Sequence, residues 1–243
     1  MSETVRQLYR ALLFAKIRHE ILVVNDNSSD LTEEKLNELT KEIKTLKIIF
    51  NPSPNGFGSA VRKGFEYFCG DMVVVYMADA SDSPTDLVRY YRAMVENNAD
   101  CVFGTRFAKE SKVVDYPFWK FIINRLANLF IQILFRLKYN DTTNAFKMYR
   151  RHTIEGLKPF LSRHFNLTVE LPLKAIIRGY HYIVLPNDWA NRKTGISKLQ
   201  IKEMGSRCLF IVLYCFLEKW LSKGDYKKIS DKAIQASTKS NVA

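Results

Sequence analysis

Val73-Val74-Val75-Tyr76-Met77-Ala78-Asp79-Ala80-Ser81-Asp82-Ser83-Pro84 is the stretch around which the rest of the chain is organised. Its opening run is apolar, rich in β-branched residues and too short for a typical helix, which predicts a buried central strand. It ends in two carboxylates, two hydroxyls and a proline suited to the first turn of a following helix, Thr85–Glu96. Asp79 and Asp82 therefore sit at the carboxyl end of a strand, where open α/β sheets bind ligands. Two hard oxygen donors facing a crevice suit Mg²⁺ or Mn²⁺ carrying a phosphorylated substrate. The plainer alternative is a helix cap, with Asp82 or Ser83 accepting from backbone N–H groups.

The pattern on either side supports an α/β sheet. A helix over Val5–Arg18 leads to a strand over Glu20–Asn25. A polar turn, Asp26 to Asp30, caps a helix over Leu31–Leu46. Lys47–Phe50 reads as a short strand, Asn51–Gly56 as a turn cluster and Gly58–Cys69 as a helix. After Thr85–Glu96 comes a strand over Asp100–Gly104. This alternation predicts a mostly parallel sheet flanked by helices. Beyond Arg106 the rhythm changes. Tyr116–Tyr139 reads as one long helix with a wide apolar face and a polar stripe of Arg125, Asn128, Gln132 and Arg136. Asp141–Arg150 is a turn and strand, Thr168–Arg178 a helix, Tyr180–Pro186 a strand and Asn187–Lys198 a basic loop. Leu199–Leu221 is a second amphipathic helix, and the polar, lysine-rich tail is expected to be disordered. The expected organisation is one domain over 1–198, an amphipathic and possible membrane-associated helix over 199–224, and a tail over 225–243.

At 243 residues and 47% hydrophobic content the chain can bury a large core. Its net charge of +12 points to an anionic partner: nucleic acid, a membrane surface or a phosphorylated substrate. No nucleic-acid-binding motif is present and the basic residues form no single block, so no nucleic acid is expected as partner. The four cysteines form no C-x-x-C pair, which argues against zinc and for a reducing compartment. No signal peptide is read at the amino end. No segment reaches the ~18 uncharged apolar residues of a spanning helix. Leu126–Phe135 and Cys208–Leu217 are uncharged runs flanked by Lys and Arg, suited to lying in a headgroup region. From Arg192 to Lys228 nine Lys/Arg face three acidic residues, and that excess defines the cationic rim.

Six stretches in this order carry a resemblance. They are Val-Val-Asn-Asp-Asn-Ser-Ser-Asp (23–30), Asn-Gly-Phe-Gly-Ser-Ala-Val-Arg-Lys-Gly (55–64), Met-Ala-Asp-Ala-Ser-Asp-Ser-Pro (77–84), Gly-Thr-Arg-Phe (104–107), Asp-Thr-Thr-Asn-Ala-Phe-Lys-Met-Tyr (141–149) and Asn-Arg-Lys-Thr-Gly-Ile-Ser-Lys (191–198). Together they resemble the family 2 glycosyltransferases of GT-A fold, nearest to the polyprenyl-phosphate, dolichol-phosphate-mannose-synthase-like subgroup. Two departures stand out. The family opens with a strand ending in a Pro-x-Tyr-Asn-Glu-like turn, and this chain starts at the helix after it. The usual Asp-x-Asp positions hold Ala78 and Ala80, with Asp79 and Asp82 flanking them.

The resemblance implies transfer of a sugar, with inversion, from a nucleotide-diphosphate sugar to a polyprenyl phosphate, by a protein peripheral on the cytoplasmic face of a membrane. It implies a metal site at Asp79 and Asp82, and donor binding by Asp26, Gly56, Gly58, Lys63 and Asp79. A helix N-terminus after glycines also favours phosphate on general grounds. The acceptor phosphate is expected at Arg106, Arg125, Arg192 and Lys198. Arg106 follows a strand end, where a guanidinium suits a pair of phosphate oxygens. Asp141 is the candidate for a base, or for a positioning group if the acceptor is an already ionised phosphate, and ranks above Glu170. Alternatives are transfer to a saccharide or other hydroxyl, which needs a base, and a truncated non-catalytic scaffold. Oligomeric state is not read from the sequence.

Overall fold

The computed structural model describes residues 1–28, 31–191 and 201–228. Helix α1 (Ser2–Phe14) precedes strand β1 (Ile21–Asn25), and α2 (Thr32–Glu42) joins β1 to β2 (Leu46–Phe50). Next come α3 (Phe57–Tyr67), β3 (Met72–Val75), α4 (Pro84–Glu96) and β4 (Cys101–Thr105). The second half holds β5 (Val113–Val114), α5 (Phe118–Phe135), β6 (Lys147–Arg150), α6 (Arg151–Gly156) and α7 (Leu167–Ile177). It closes with β7 (Tyr182–Pro186), β8 (Trp189–Ala190) and α8 (Ile201–Leu221).

β1 and β2 pair in parallel, as β-α-β connection through α2 requires. The main sheet has the order β3-β6-β4-β7. β4 and β7 are parallel, whereas β6 runs antiparallel to both of its neighbours. The expectation of a mostly parallel α/β sheet therefore meets one reversed strand at its centre. β3, expected to be a buried central strand, is instead the edge of this four-stranded sheet and is only half-buried. Its free side faces a gap in front of β1.

Helices cover both faces. Leu36 and Leu39 of α2 pack with Leu87, Tyr90 and Met94 of α4 and with Leu8 of α1. On the other face, Phe65 of α3 packs with Leu167, Leu171 and Ala175 of α7. α8 is joined to the same body. Its Ile211, Val212 and Cys215 bury against Ile131 and Phe135 of α5 and Leu173 of α7. Glu218 of α8 accepts two hydrogen bonds from the buried Arg178 guanidinium, at 2.7 and 2.9 Å. The first residues of the tail, expected to be disordered, are held as well. Lys228 Nζ lies 2.9 Å from Asp100, and its backbone N–H donates to Arg178 O. Residues 229–243 lie outside the described residues.

α5 is shorter than the predicted Tyr116–Tyr139. It starts after Pro117 and stops where Arg136 turns left-handed, at φ 56°. By length and composition α5 is long and apolar enough to cross a membrane. Two residues of its polar stripe, Arg125 and Asn128, are however built into the protein, as described next.

Candidate active site

β3 runs directly into the turn that carries the two carboxylates. Ala80 adopts φ 59° between them, which folds the chain back so that Ser81 N–H donates to Asp79 Oδ1 at 3.2 Å. Asp79 is exposed and Asp82 is 5% exposed. Neither Asp82 nor Ser83 caps α4: its Ncap, Ser83, makes no side-chain capping bond, and its hydroxyl meets that of Thr85 at 2.6 Å. The capping alternative is therefore not what the structure contains. Asp82 Oδ2 is buried without any hydrogen-bond partner. Burial pushes the Asp82 carboxyl up to about 7; Arg106 pulls against this and Asp79 adds to it. Tyr76, from the end of β3, donates through its phenol to the Asp82 carbonyl at 2.6 Å.

An orphaned, desolvated carboxylate oxygen beside a second, exposed carboxylate fits a hard divalent cation, which would satisfy that oxygen and relieve the repulsion. Among the described residues no group of three or more His, Cys, Asp or Glu side chains is gathered for a metal. The two aspartates would therefore need oxygens from a substrate to complete the coordination.

Opposite the turn, the end of β4 brings Arg106 against Asp141. The guanidinium donates from Nε to Asp141 Oδ2 at 2.8 Å and from Nη2 to Oδ1 at 2.7 Å. The Arg106 backbone N–H donates to the same carboxylate at 2.9 Å. Burial works against the Arg106 charge, and Asp141 more than offsets it, so the Arg106 pKa moves up. Asp141 is wholly buried and both its oxygens accept from Arg106. In this structure it holds an arginine in place and does not reach out as a base. Tyr116, Phe107 and Trp189 flank the guanidinium at 5.6 to 6.0 Å.

α5 contributes from the other side. Asn128 Oδ1 accepts from Thr142 N–H at 2.6 Å, and Asn128 Nδ2 donates to Thr143 Oγ1 at 3.2 Å. These bonds fix the 141–144 turn. Arg125, one turn earlier, stacks on Phe107 at 4.6 Å, and its Nη1 is buried without a partner. Arg106 and Arg125 thus meet around Phe107 as a cationic pair with a spare donor, chemistry that suits a phosphate.

The donor-side residues are arranged differently from the expectation. Asp26 already accepts from Asn51 Nδ2 at 2.6 Å and from Gly56 N–H at 2.7 Å, tying the end of β1 to the 51–56 turn. The close approach that Gly56 and Gly58 permit is occupied by protein. A Cβ on Gly58 would lie 2.6 Å from His164 O and 2.7 Å from Arg163 C. Ser59 N–H, near the start of α3, donates to Arg163 O at 2.9 Å. That amide is therefore satisfied within the chain. Lys63 pairs with Glu66 of its own helix at 3.0 Å. Gly58→Ala is expected to destabilise the fold by about 1–3 kcal/mol, since the obstructing atoms are backbone; a urea melt reads it. Arg192 and Lys198 lie outside the described residues. The segment leading to them crosses the 79–82 turn, with Ala190 N–H donating to Ser81 O at 3.0 Å.

Glu170 is buried, accepting from Leu161 and Ser162 N–H at 2.8 and 2.7 Å and pairing with Lys174 at 2.6 Å. It belongs to the core. Sequence reading missed Lys147, which is fully buried on β6 and donates to the carbonyls of Thr142 and Thr168 at 3.0 and 3.1 Å and to that of Asn144. Burial lowers its pKa to about 7, with Asp141 opposing that shift. A lone lysine in the apolar run Phe146 to Tyr149 was the available signal. Trp189 gave none, because its contact with Arg106 crosses a long stretch of chain.

The pattern of Glycosyl transferase family 2 matches residues 2–157. The polyprenol monophosphomannose synthase of Mycolicibacterium smegmatis is 28% identical over 199 residues, covering 77% of this chain and 75% of that protein. The dolichol-phosphate mannosyltransferase of Pyrococcus furiosus is 31% identical over 191 residues, covering 76% of this chain. The chain spans about half the length of that relative, 52%. Among solved structures, glucosyl-3-phosphoglycerate synthase from Mycobacterium tuberculosis with phosphoglyceric acid superposes with TM-score 0.65 at 14% identity, covering 89% of this chain and 74% of that one. The same enzyme with Mn²⁺, uridine diphosphate and glucosyl-3-phosphoglycerate gives TM-score 0.64 at 13% identity, covering 90% and 75%. These likenesses show the GT-A fold.

Proposed function

The chain belongs to glycosyl transferase family 2, and we propose that it moves a sugar from a nucleotide-diphosphate sugar to a polyprenyl phosphate. An oxygen of the acceptor phosphate attacks the anomeric carbon. The bond from that carbon to the donor diphosphate breaks on the opposite side, releasing the nucleoside diphosphate and inverting the centre. The observation that carries this reading is the meeting of two kinds of group: the orphaned Asp82 carboxylate and the arginine pair Arg106 and Arg125. One suits a cation and the other an anionic acceptor. A divalent cation, Mg²⁺ or Mn²⁺, held by Asp79 and Asp82 would neutralise charge on the departing diphosphate. Asp26, Gly56 and Gly58 stay in the proposal as the outer wall of the donor site, acting through the loop they hold, and Lys63 stays in it as a cation on the helix that follows. Arg192 and Lys198 follow a segment that already crosses the 79–82 turn, which supports a phosphate role for them.

The enclosure of Asp141 favours a phosphate acceptor over a sugar hydroxyl. A phosphate is already ionised near neutrality, with its second pKa near 6, and needs orientation more than a base. The names of the curated relatives support the same acceptor class. The test is incubation with Mn²⁺, a panel of labelled nucleotide sugars and a polyprenyl phosphate. Label is expected in the lipid extract with one donor; label only on a soluble saccharide acceptor would refute the reading.

The location we infer is peripheral, on the cytoplasmic face of a membrane. Phe118, Trp119, Leu126 and Ile133 of α5 and Phe210, Leu213, Trp220 and Leu221 of α8 are exposed. Arg and Lys rims accompany them, and all four cysteines are free thiols. Replacing Trp119 and Phe210 together by serine is expected to weaken retention on anionic vesicles by about tenfold or more. A sedimentation assay with phosphatidylserine-containing vesicles reads it.

A further inference from the structure

β6 lies between the strand that leads to the two aspartates and the strand that leads to Arg106. Its first residue, Lys147, is in register with Val75, the last residue of β3, and with Phe103 of β4, close before Arg106. The buried ammonium donates to Thr142 O at 3.0 Å, to Thr168 O at 3.1 Å and to Asn144 O. Three acceptors use all three protons of an ammonium. All three are main-chain carbonyls, and none is a carboxylate. A buried cation without a bonded counter-charge is unfavourable, and an apolar side chain of similar volume would fill the space with less penalty. Stability alone is therefore a poor account of this lysine. Two of its acceptors belong to the turn that follows Asp141. Asn128 ties the same turn from α5, accepting from Thr142 N–H and donating to Thr143 Oγ1. The third acceptor is in the first turn of α7. The turn so held carries Asp141, whose carboxylate takes Nε and Nη2 of Arg106, and Thr143, whose hydroxyl lies 3.4 Å from Nη2.

We propose that Lys147 is a positioning residue for the acceptor: by pinning the carbonyls of Thr142 and Asn144 it fixes Asp141, and through Asp141 the Arg106 guanidinium, in the direction from which the acceptor phosphate is received. This role rests on the proposed transfer to a phosphate and deepens it. The hold depends on charge. A neutral amine keeps two protons and leaves one of the three carbonyls without a donor. Burial lowers the Lys147 pKa to about 7; Asp141 opposes that shift, Arg106 adds to it and Asp82 opposes it. The groups that line a small cavity with the lysine, Phe57 and Val61 of α3 and Leu167 and Leu171 of α7, carry no charge, and burial keeps the Tyr149 phenol neutral. The brace is therefore complete below pH 7 and loosens above it, and a bound phosphate dianion favours the complete form.

The test is calorimetric binding of farnesyl phosphate to the full chain without metal, with Mn²⁺ binding at pH 8 by electron paramagnetic resonance as the companion measurement. Lys147→Met, similar in length and uncharged, is expected to bind farnesyl phosphate about tenfold or more weakly than the unmodified chain at pH 6.5, and to bind Mn²⁺ equally well. Between pH 6.5 and 8.5 the unmodified chain is expected to lose about threefold or more affinity beyond what Lys147→Arg loses, because the guanidinium stays charged throughout. Ionisation of the ligand and of Asp82 acts alike in both proteins and cancels in the comparison. Should Lys147→Met not fold, the pH comparison decides. Unweakened binding by Lys147→Met, an equal loss of Mn²⁺ binding, or the same pH profile in the unmodified chain and Lys147→Arg overturns the positioning role and leaves the phosphate acceptor standing. No binding of farnesyl phosphate by the unmodified chain overturns that acceptor, and the role with it.

Discussion

Replacing Asp82 with asparagine is expected to cut sugar transfer more than a hundredfold while making the metal-free chain more stable at alkaline pH. The first effect follows from removing a ligand to a cation that stabilises the departing diphosphate, a contribution of about 3 kcal/mol or more. The second follows from desolvation. Burial raises the Asp82 carboxyl from its ordinary value near 3.8 to about 7. The folded state therefore holds this proton more tightly than the unfolded chain does. Stability from this group is full below the unfolded pKa and is lost as pH rises from about 4 to about 7. Above pH 7 the deficit is complete, with an upper bound of about 4 kcal/mol for a shift of this size. Asp82→Asn removes the deficit. Its advantage in thermal melts is expected to be largest at pH 8, about 1–3 kcal/mol after allowing for the buried amide, and to shrink toward pH 5. Cation binding to the unmodified chain should weaken about tenfold per pH unit below about 7, because one proton must leave as the ion binds. Melts at pH 5, 6.5 and 8, with and without Mn²⁺, read all three effects.

Asp141→Asn is expected to lower stability by about 3–5 kcal/mol and to abolish transfer. The buried Arg106 then has a charge with no counter-charge, and removing one member of a buried ion pair is far worse than replacing both. For a chain of this length that corresponds to a fall of about 10 °C or more in melting temperature. Arg106→Met combined with Asp141→Leu should recover most of the stability and none of the activity. If Asp141 worked instead as a base, Asp141→Asn would leave the melting temperature nearly unchanged. Its residual activity would then rise with pH.

The sequence pattern located most elements between residues 20 and 105 within one or two residues. β1 was expected over Glu20–Asn25 and is Ile21–Asn25; α4 was expected over Thr85–Glu96 and is Pro84–Glu96. Apolar periodicity and a proline at the helix start are local signals, and local signals suffice there. The direction of β6 was not legible, because it depends on pairing with β3 and β4, which lie far back along the chain. The same holds within the site. Arg106 and Asp141 were both singled out, yet their bidentate bond spans 35 residues, and only the fold reveals that each satisfies the other. Gly56 and Gly58 gave a sound signal of close backbone approach. The atoms they approach are those of residues 163–164, which no local pattern points to. The gap beside β3 left no mark in the pattern of β3 itself, because an apolar run reads alike whether a neighbouring strand or open space lies beside it.

The most direct measurement is Mn²⁺ binding by electron paramagnetic resonance at pH 8, in the presence of nucleoside diphosphates, for the unmodified chain and for Asp79→Ala/Asp82→Ala. One bound ion is expected in the unmodified chain, tightened by a nucleoside diphosphate, with affinity at least about a hundredfold weaker in the double variant. Equal affinity in the two proteins would contradict the assignment of the cation to these carboxylates and, with it, the reaction built around them.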